Sequence, residues 1–192
     1  NNVALGWSAL HSNISGHSNA AFGSGTLLTS QRGARNTAIG RDAMRYHSAG
    51  SDNTAVGYLA LHNSDSSDFN TAIGVRAMVS TETGSHNVAV GAYALNRITR
   101  GSDNISIGNY ANQYNDIGNF NTAIGTRTME SNRLGGNNVM VGYETGHSVS
   151  DGSGNTMIGA QAGRGTGGAG VKHGNAVSYT HLRAHETSAD SV

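Results

Sequence analysis

The stretch N-T-A-I-G, Asn36 to Gly40, recurs unchanged at Asn70 to Gly74 and again at Asn121 to Gly125. Close variants lie between these copies: N-T-A-V-G from Asn53, N-V-A-V-G from Asn87 and N-I-S-I-G from Asn104. Working outward, the motif asparagines are Asn2, Asn19, Asn36, Asn53, Asn70, Asn87, Asn104, Asn121, Asn138 and Asn155, each 17 residues after the last. The motif glycine follows four residues later in all ten copies, from Gly6 to Gly159. A second glycine stands three residues before the asparagine, at Gly16, Gly33, Gly50, Gly84, Gly101, Gly118, Gly135 and Gly152, with Ser67 as the exception. Counting each repeat from its asparagine as position 1, these glycines occupy positions 5 and 15.

A fixed period without insertion or deletion means that every unit fills an equivalent place in a stack, because a change of length would break register with its neighbours. Seventeen residues holding a strand and two glycine turns leave no room for a helix. The reading is an all-β, parallel β-solenoid (β-roll) of ten 17-residue coils, a rod of roughly 48 Å if strands stack at about 4.8 Å. Glycine at both turns supplies positive φ at little steric cost.

Residues alternate sides along a strand. Position 4 is always large and apolar, as in Leu5, Phe22, Ile39, Val56, Ile73, Val90, Ile107, Ile124, Val141 and Ile158. That column, together with position 2 (Thr, Val, Ile or Ala), is therefore expected inside the coil. Leu10, Leu27, Met44, Leu61, Met78, Leu95 and Met129 are expected to join it from a second short strand. Position 1 and position 3 then face outward, with the asparagines forming an amide ladder along the rod. The alanines Ala4, Ala21, Ala38, Ala55, Ala72, Ala89 and Ala123 would make a small-residue stripe on which another chain can approach. Ser106, Met140 and Met157 depart from it.

Composition excludes several functions. Lysine plus arginine equals aspartate plus glutamate, 12 each, so the formal net charge is zero and no electrostatic footprint for nucleic acid or an anionic membrane exists. Charged residues are 12% of the chain, against about 25% in typical soluble domains. No apolar run approaches the roughly 20 residues of a membrane span. Cysteine is absent, which suits a secreted or virion protein that needs no disulfides. Because Asn1 already lies in a repeat, the chain reads as a fragment whose export signal or anchor lies outside it.

No catalytic constellation, cofactor motif or metal site is written: there is no G-x-S-x-G elbow, no phosphate loop and no recurring acidic column. His11, His17, His47, His62, His86 and His147 fall at unrelated repeat positions and read as solvated surface residues. Aromatics gather just after the motif glycine, at Trp7, Tyr58, Tyr93, Tyr110 and Tyr143, and suit either packing along the rod or stacking on sugars. Specificity for a partner would reside in variable residues such as Arg41, Asp42, Arg76, Arg127 and Glu144. The ligand-binding residues themselves are not assignable from the repeat.

N-T-A-I-G-x-x-A-(L/M), from Asn36 to Met44, resembles the head repeats of YadA-like trimeric autotransporter adhesins, whose motif is similar to N-S-V-A-I-G. The 17-residue spacing looks still more like the repeat shafts of bacteriophage tail fibres. The resemblance covers residues 1–163. It implies a left-handed coil and a homotrimer. It also implies an extracellular setting, on a bacterial surface with an outer-membrane anchor elsewhere in the protein or on a virion tail. A structural or adhesive role against a host surface protein or glycan follows, with no enzyme activity, no nucleic acid and no membrane insertion by this segment. The alternative is a monomeric ice- or surface-binding β-solenoid using Thr37, Thr54, Thr71, Thr122 and Thr156, which requires that column to face outward.

From Gly163 the repeat dissolves. Residues 164–176 are a glycine-rich degenerate end in which Asn175 opens a shifted eleventh copy, and residues 177–192 read as a non-native tail. Within it V-S-Y-T-H-L-R-A-H-E-T, Val177 to Thr187, resembles a translated sequencing adaptor, pointing to a gene assembled from environmental DNA. The histidine pair His181 and His185 is accordingly not read as a metal site.

Overall fold

The computed structural model describes residues 1–164 and 176–178. Eleven three-residue strands, from β1 (Val3–Leu5), β2 (Ala20–Phe22) and β3 (Thr37–Ile39) to β10 (Thr156–Ile158) and β11 (Ala176–Ser178), form one parallel sheet in strict chain order. Equivalent residues pair throughout, Thr37 with Thr54 and Ile39 with Val56 for example. No helix occurs among the described residues. The chain is thus the expected parallel β-solenoid, one repeat per coil. Between β10 and β11 the interval grows: Ala176 pairs with Thr156, 20 residues earlier. The backbone of residues 177 and 178, assigned to the adaptor-like tail, pairs with β10. Asn175 and the histidine pair at 181 and 185 lie outside the described residues.

The strand faces are reversed relative to the sequence reading. Ala21, Ala38, Ala55, Ala72, Ala89 and Ala123 are fully buried, as are the motif asparagines from Asn36 to Asn155. Positions 2 and 4 face out instead, with Ile39 42% and Ile73 40% exposed. The alanine stripe is therefore interior, and only Ala4, in the end coil, is exposed. The reason is the size of the lumen. Leu27, Met44, Leu61, Met78, Leu95 and Met129, at position 9, enter it fully buried from the opposite wall, which leaves room for little more than a methyl group at position 3.

Position 9 does not come from a second strand. Its residues sit in turns with left-handed backbone, Met44 at φ 50° and Leu61 at φ 49°, and a run of isolated parallel bridges links position 11 instead, from Tyr46 through Asn63 and Ser80 to Arg97. Left-handed φ is unfavourable for a side-chain-bearing residue. Here it is held by bonds to adjacent coils: the Asp42 amide donates to the Ser24 carbonyl at 2.9 Å and the Met44 amide to Ala60 at 3.0 Å.

The asparagine ladder forms, but inside the rod. Asn53 N–H donates to Asn36 Oδ1 at 2.9 Å, and Asn36 Nδ2 donates to the Gly50 carbonyl at 2.8 Å. One side chain thus satisfies the next coil's amide and the carbonyl of a turn, both buried and costly to leave unpaired. The two glycine positions have different causes. Position 5 needs positive φ, 125° at Gly40. Position 15 does not; a Cβ on Gly50 would overlap the Ser67 carbonyl of the next coil.

Candidate functional site

With alanine inside, the outer face of the sheet carries only Thr, Val, Ile, Ala, Leu and Phe over all ten coils of the repeat. Ile39, Ile73, Ile105, Ile107, Ile124 and Ile158 are all exposed there. The threonine column is on this face too, as Thr37, Thr54, Thr71, Thr122 and Thr156, interrupted by Val88, Ile105 and Val139. A continuous apolar strip without a charged group is the kind of surface that marks association.

The edge after the motif glycine is a column of side-chain stacks. Tyr93 and Tyr110 stack at 5.0 Å and 13° between planes, and Arg76 covers Tyr93 at 5.8 Å. Arg41 lies over Tyr58 at 5.8 Å. Asp42, buried, bonds Arg45 at 2.5 Å and Arg41 at 3.2 Å. Glu144, also buried, meets Arg164 at 3.0 Å and Arg127 at 3.6 Å. Burial alone would raise the Glu144 pKa; bonds from Tyr143 and Gln161 and the Arg164 charge outweigh it, and the carboxyl is held below its ordinary value. The variable residues singled out in the sequence are therefore engaged with one another along the rod. Trp7, at 77% exposure, stands free of these stacks.

The histidines do not share one environment. His47 is fully buried at position 12, its Nε2 2.8 Å from the Gly50 carbonyl and its Nδ1 2.8 Å from Ser64 Oγ. Its Nδ1 also lies 2.6 Å from the Ser64 carbonyl. Burial pushes the pKa below the ordinary histidine value, against the contacts of the two ring nitrogens with the Gly50 and Ser64 carbonyls, which favour the protonated ring. His62 is half-buried and lowered for the same reason. The expectation of solvated surface residues therefore fails at His47. No group of three metal-ligating side chains occurs among the described residues, and no helix there is long and apolar enough to cross a membrane.

A third surface was not singled out in the sequence. Arg97, Tyr114, Asp116 and Arg133 line a cavity of about 290 Å³, and Arg133, Leu134, Ser150 and Asp151 line an adjoining one of about 390 Å³. Arg97 lies over the Tyr114 ring at 5.9 Å, while Arg133 donates from Nε (3.0 Å) and Nη2 (2.8 Å) to Asp116 Oδ2. The signal was present: Arg97 and Tyr114 are 17 residues apart, as are Asp116 and Arg133, so each pair must lie side by side on successive coils. Comparison with family models, with curated proteins and with solved structures finds no match to this chain.

Proposed function

We propose that this chain is the structural and adhesive repeat segment of a trimeric surface fibre, a left-handed rod displayed outside the cell as an adhesin head or on a phage tail. The observation that carries the reading is the uncharged Thr/Val/Ile face, which leaves the larger apolar side chains outside the coil and alanine within. An occupant that covers ten coils must share their roughly 4.8 Å repeat, and a second copy of the same rod does so by construction. A strip of roughly 45 Å by 10 Å covers on the order of 450 Å² of each chain. The trimeric number and the extracellular setting rest on the resemblance to the adhesin head and tail-fibre repeats.

The test is the solution mass of the chain by light scattering after size exclusion. A mass of three chains is expected, falling to one chain when Ile73→Lys and Ile107→Lys place charges on the strip. A folded monomer of the unaltered chain would overturn the trimer. One observation favours a second reading, a single-rod ice or surface binder: the threonine column does face outward. Its longest unbroken run is Thr37, Thr54 and Thr71. Thermal hysteresis from a monomeric sample would bring that reading forward.

A further inference from the structure

We infer that the groove across coils 6 to 9 binds a short acidic oligosaccharide, with a uronate carboxylate at Arg97 and sugar hydroxyls at Asp116 and Asp151. This deepens the adhesive part of the proposed function and is independent of the trimer, since the groove lies at positions 11, 13 and 14 of the repeat and not on the apolar strip.

The two cavities share Arg133 and follow the rod axis over three coil steps, about 14 Å. The larger, about 390 Å³, falls within the roughly 300–1,000 Å³ of small-molecule sites, and the smaller, about 290 Å³, lies at its lower edge. The groove is polarised. At its upper end Arg97 is exposed and meets the Tyr114 ring, with no carboxylate among the described residues bonded to its guanidinium. A planar guanidinium fork of that kind pairs with a carboxylate through two parallel bonds. In the middle, Arg133 binds Asp116 through Oδ2 alone, so Arg133 is neutralised while Oδ1 remains an acceptor for a hydroxyl donor. Leu134, 56% exposed, and the 38% exposed ring of Tyr114 supply the apolar surface on which the C–H face of a sugar packs. At the lower end Ser150 and Asp151 add hydroxyl and carboxylate acceptors. A cation, a ring and then acceptors suit an acidic unit followed by neutral, hydroxyl-rich ones. A uniformly polyanionic chain would meet Asp151.

The test is calorimetric titration of the full chain with three tetrasaccharide probes: one carrying glucuronate, a neutral glucose oligomer and a sulfated one. The glucuronate probe is expected to bind at least tenfold more tightly than the neutral one. That binding should fall at least tenfold in Arg97→Gln and in Tyr114→Ala, both exposed substitutions. Arg32→Gln, which removes an equal charge far along the rod, should leave it unchanged. No binding of the glucuronate probe, equal binding of the neutral one, tighter binding of the sulfated one, or an unaffected Arg97→Gln protein would each overturn the assignment. Light scattering on the same samples separates the two proposals: a monomer that binds retains the groove and removes the trimer, and a trimer that does not bind does the reverse.

Discussion

Coils 3 to 6 and coils 9 and 10 fill the same lumen from opposite walls. In the former, alanine at position 3 faces Met44, Leu61, Met78 or Leu95 at position 9, all fully buried. In the latter, Met140 and Met157 project from the strand and position 9 is glycine, Gly146 and Gly163. A Cβ on Gly146 would overlap the Met140 thioether. The lumen therefore has a fixed capacity of about one large side chain per coil, and either wall can supply it. The largest effect should come from filling both walls at once. Gly146→Leu is expected to destabilise the C-terminal coils by about 3 kcal/mol through overpacking, and Met140→Ala in the same chain should restore most of it. A double-mutant cycle in urea would read the coupling. Additive losses would mean that the two side chains do not share one space.

Coil 7 sharpens the comparison, because neither wall supplies an apolar group there. Ser106 stands at position 3 and Asn112 at position 9, both fully buried, and Ser106 Oγ and both side-chain polar atoms of Asn112 lack hydrogen-bond partners. The apolar core divides at this point into one cluster ending at Ile98 and another beginning at Ala123. Unpartnered buried polar groups cost about 1–3 kcal/mol. Asn112→Leu, which repeats the residue found one coil earlier, should therefore stabilise the rod by about 2 kcal/mol. Amide hydrogen exchange should slow most in residues 104–120, since stability in a stacked array passes between neighbours. Unchanged exchange there would show that coil 7 is not the weak joint.

The same columns explain what was readable in the sequence. The period fixes the parallel sheet, its register and the asparagine ladder, because each is a property of spacing alone. Which face turns inward is not a property of spacing. Hydrophobicity favours burying Ile39 over Ala38, and that rule loses here because a coil closed by a three-residue strand and a glycine turn has too narrow a lumen for both Ile39 and Met44. The decisive signal was a correlation between columns: Ala with Leu or Met in most coils, Met with Gly in coils 9 and 10. The groove was legible in a similar way, from Arg97 with Tyr114 and Asp116 with Arg133 at one-repeat spacing. The aromatics beside the motif glycine drew attention instead, and most of them stack along the rod.

The smallest effect concerns position 12, where the interior admits different polarities: Ser30, His47, Ser64, Thr81, Ile98, Asn115, Asn132 and Val149 are all buried. His47 is the member of this column that titrates. Its folded pKa is lowered by burial, opposed by the Gly50 and Ser64 carbonyls and by the charges of Asp68 and Asp65. The unfolded chain therefore binds a proton first as pH falls. The stability that His47 contributes is complete above the ordinary histidine pKa of about 6.5 and is lost as pH drops through that value toward the folded one. His62 adds a contribution of the same sign. Asp52, whose pKa is lowered by its hydrogen bond and charge pairing with Arg35, acts in a separate window, with loss only as pH falls through the carboxylate range. Urea midpoints measured from pH 7.5 to pH 5 should thus decline in the unaltered chain. His47→Ser, which installs the residue of the neighbouring coils, should flatten most of that decline while lowering stability at pH 7.5. An equal decline in the variant would assign the pH response to His62, and would mean that the buried ring accepts its proton as readily folded as unfolded.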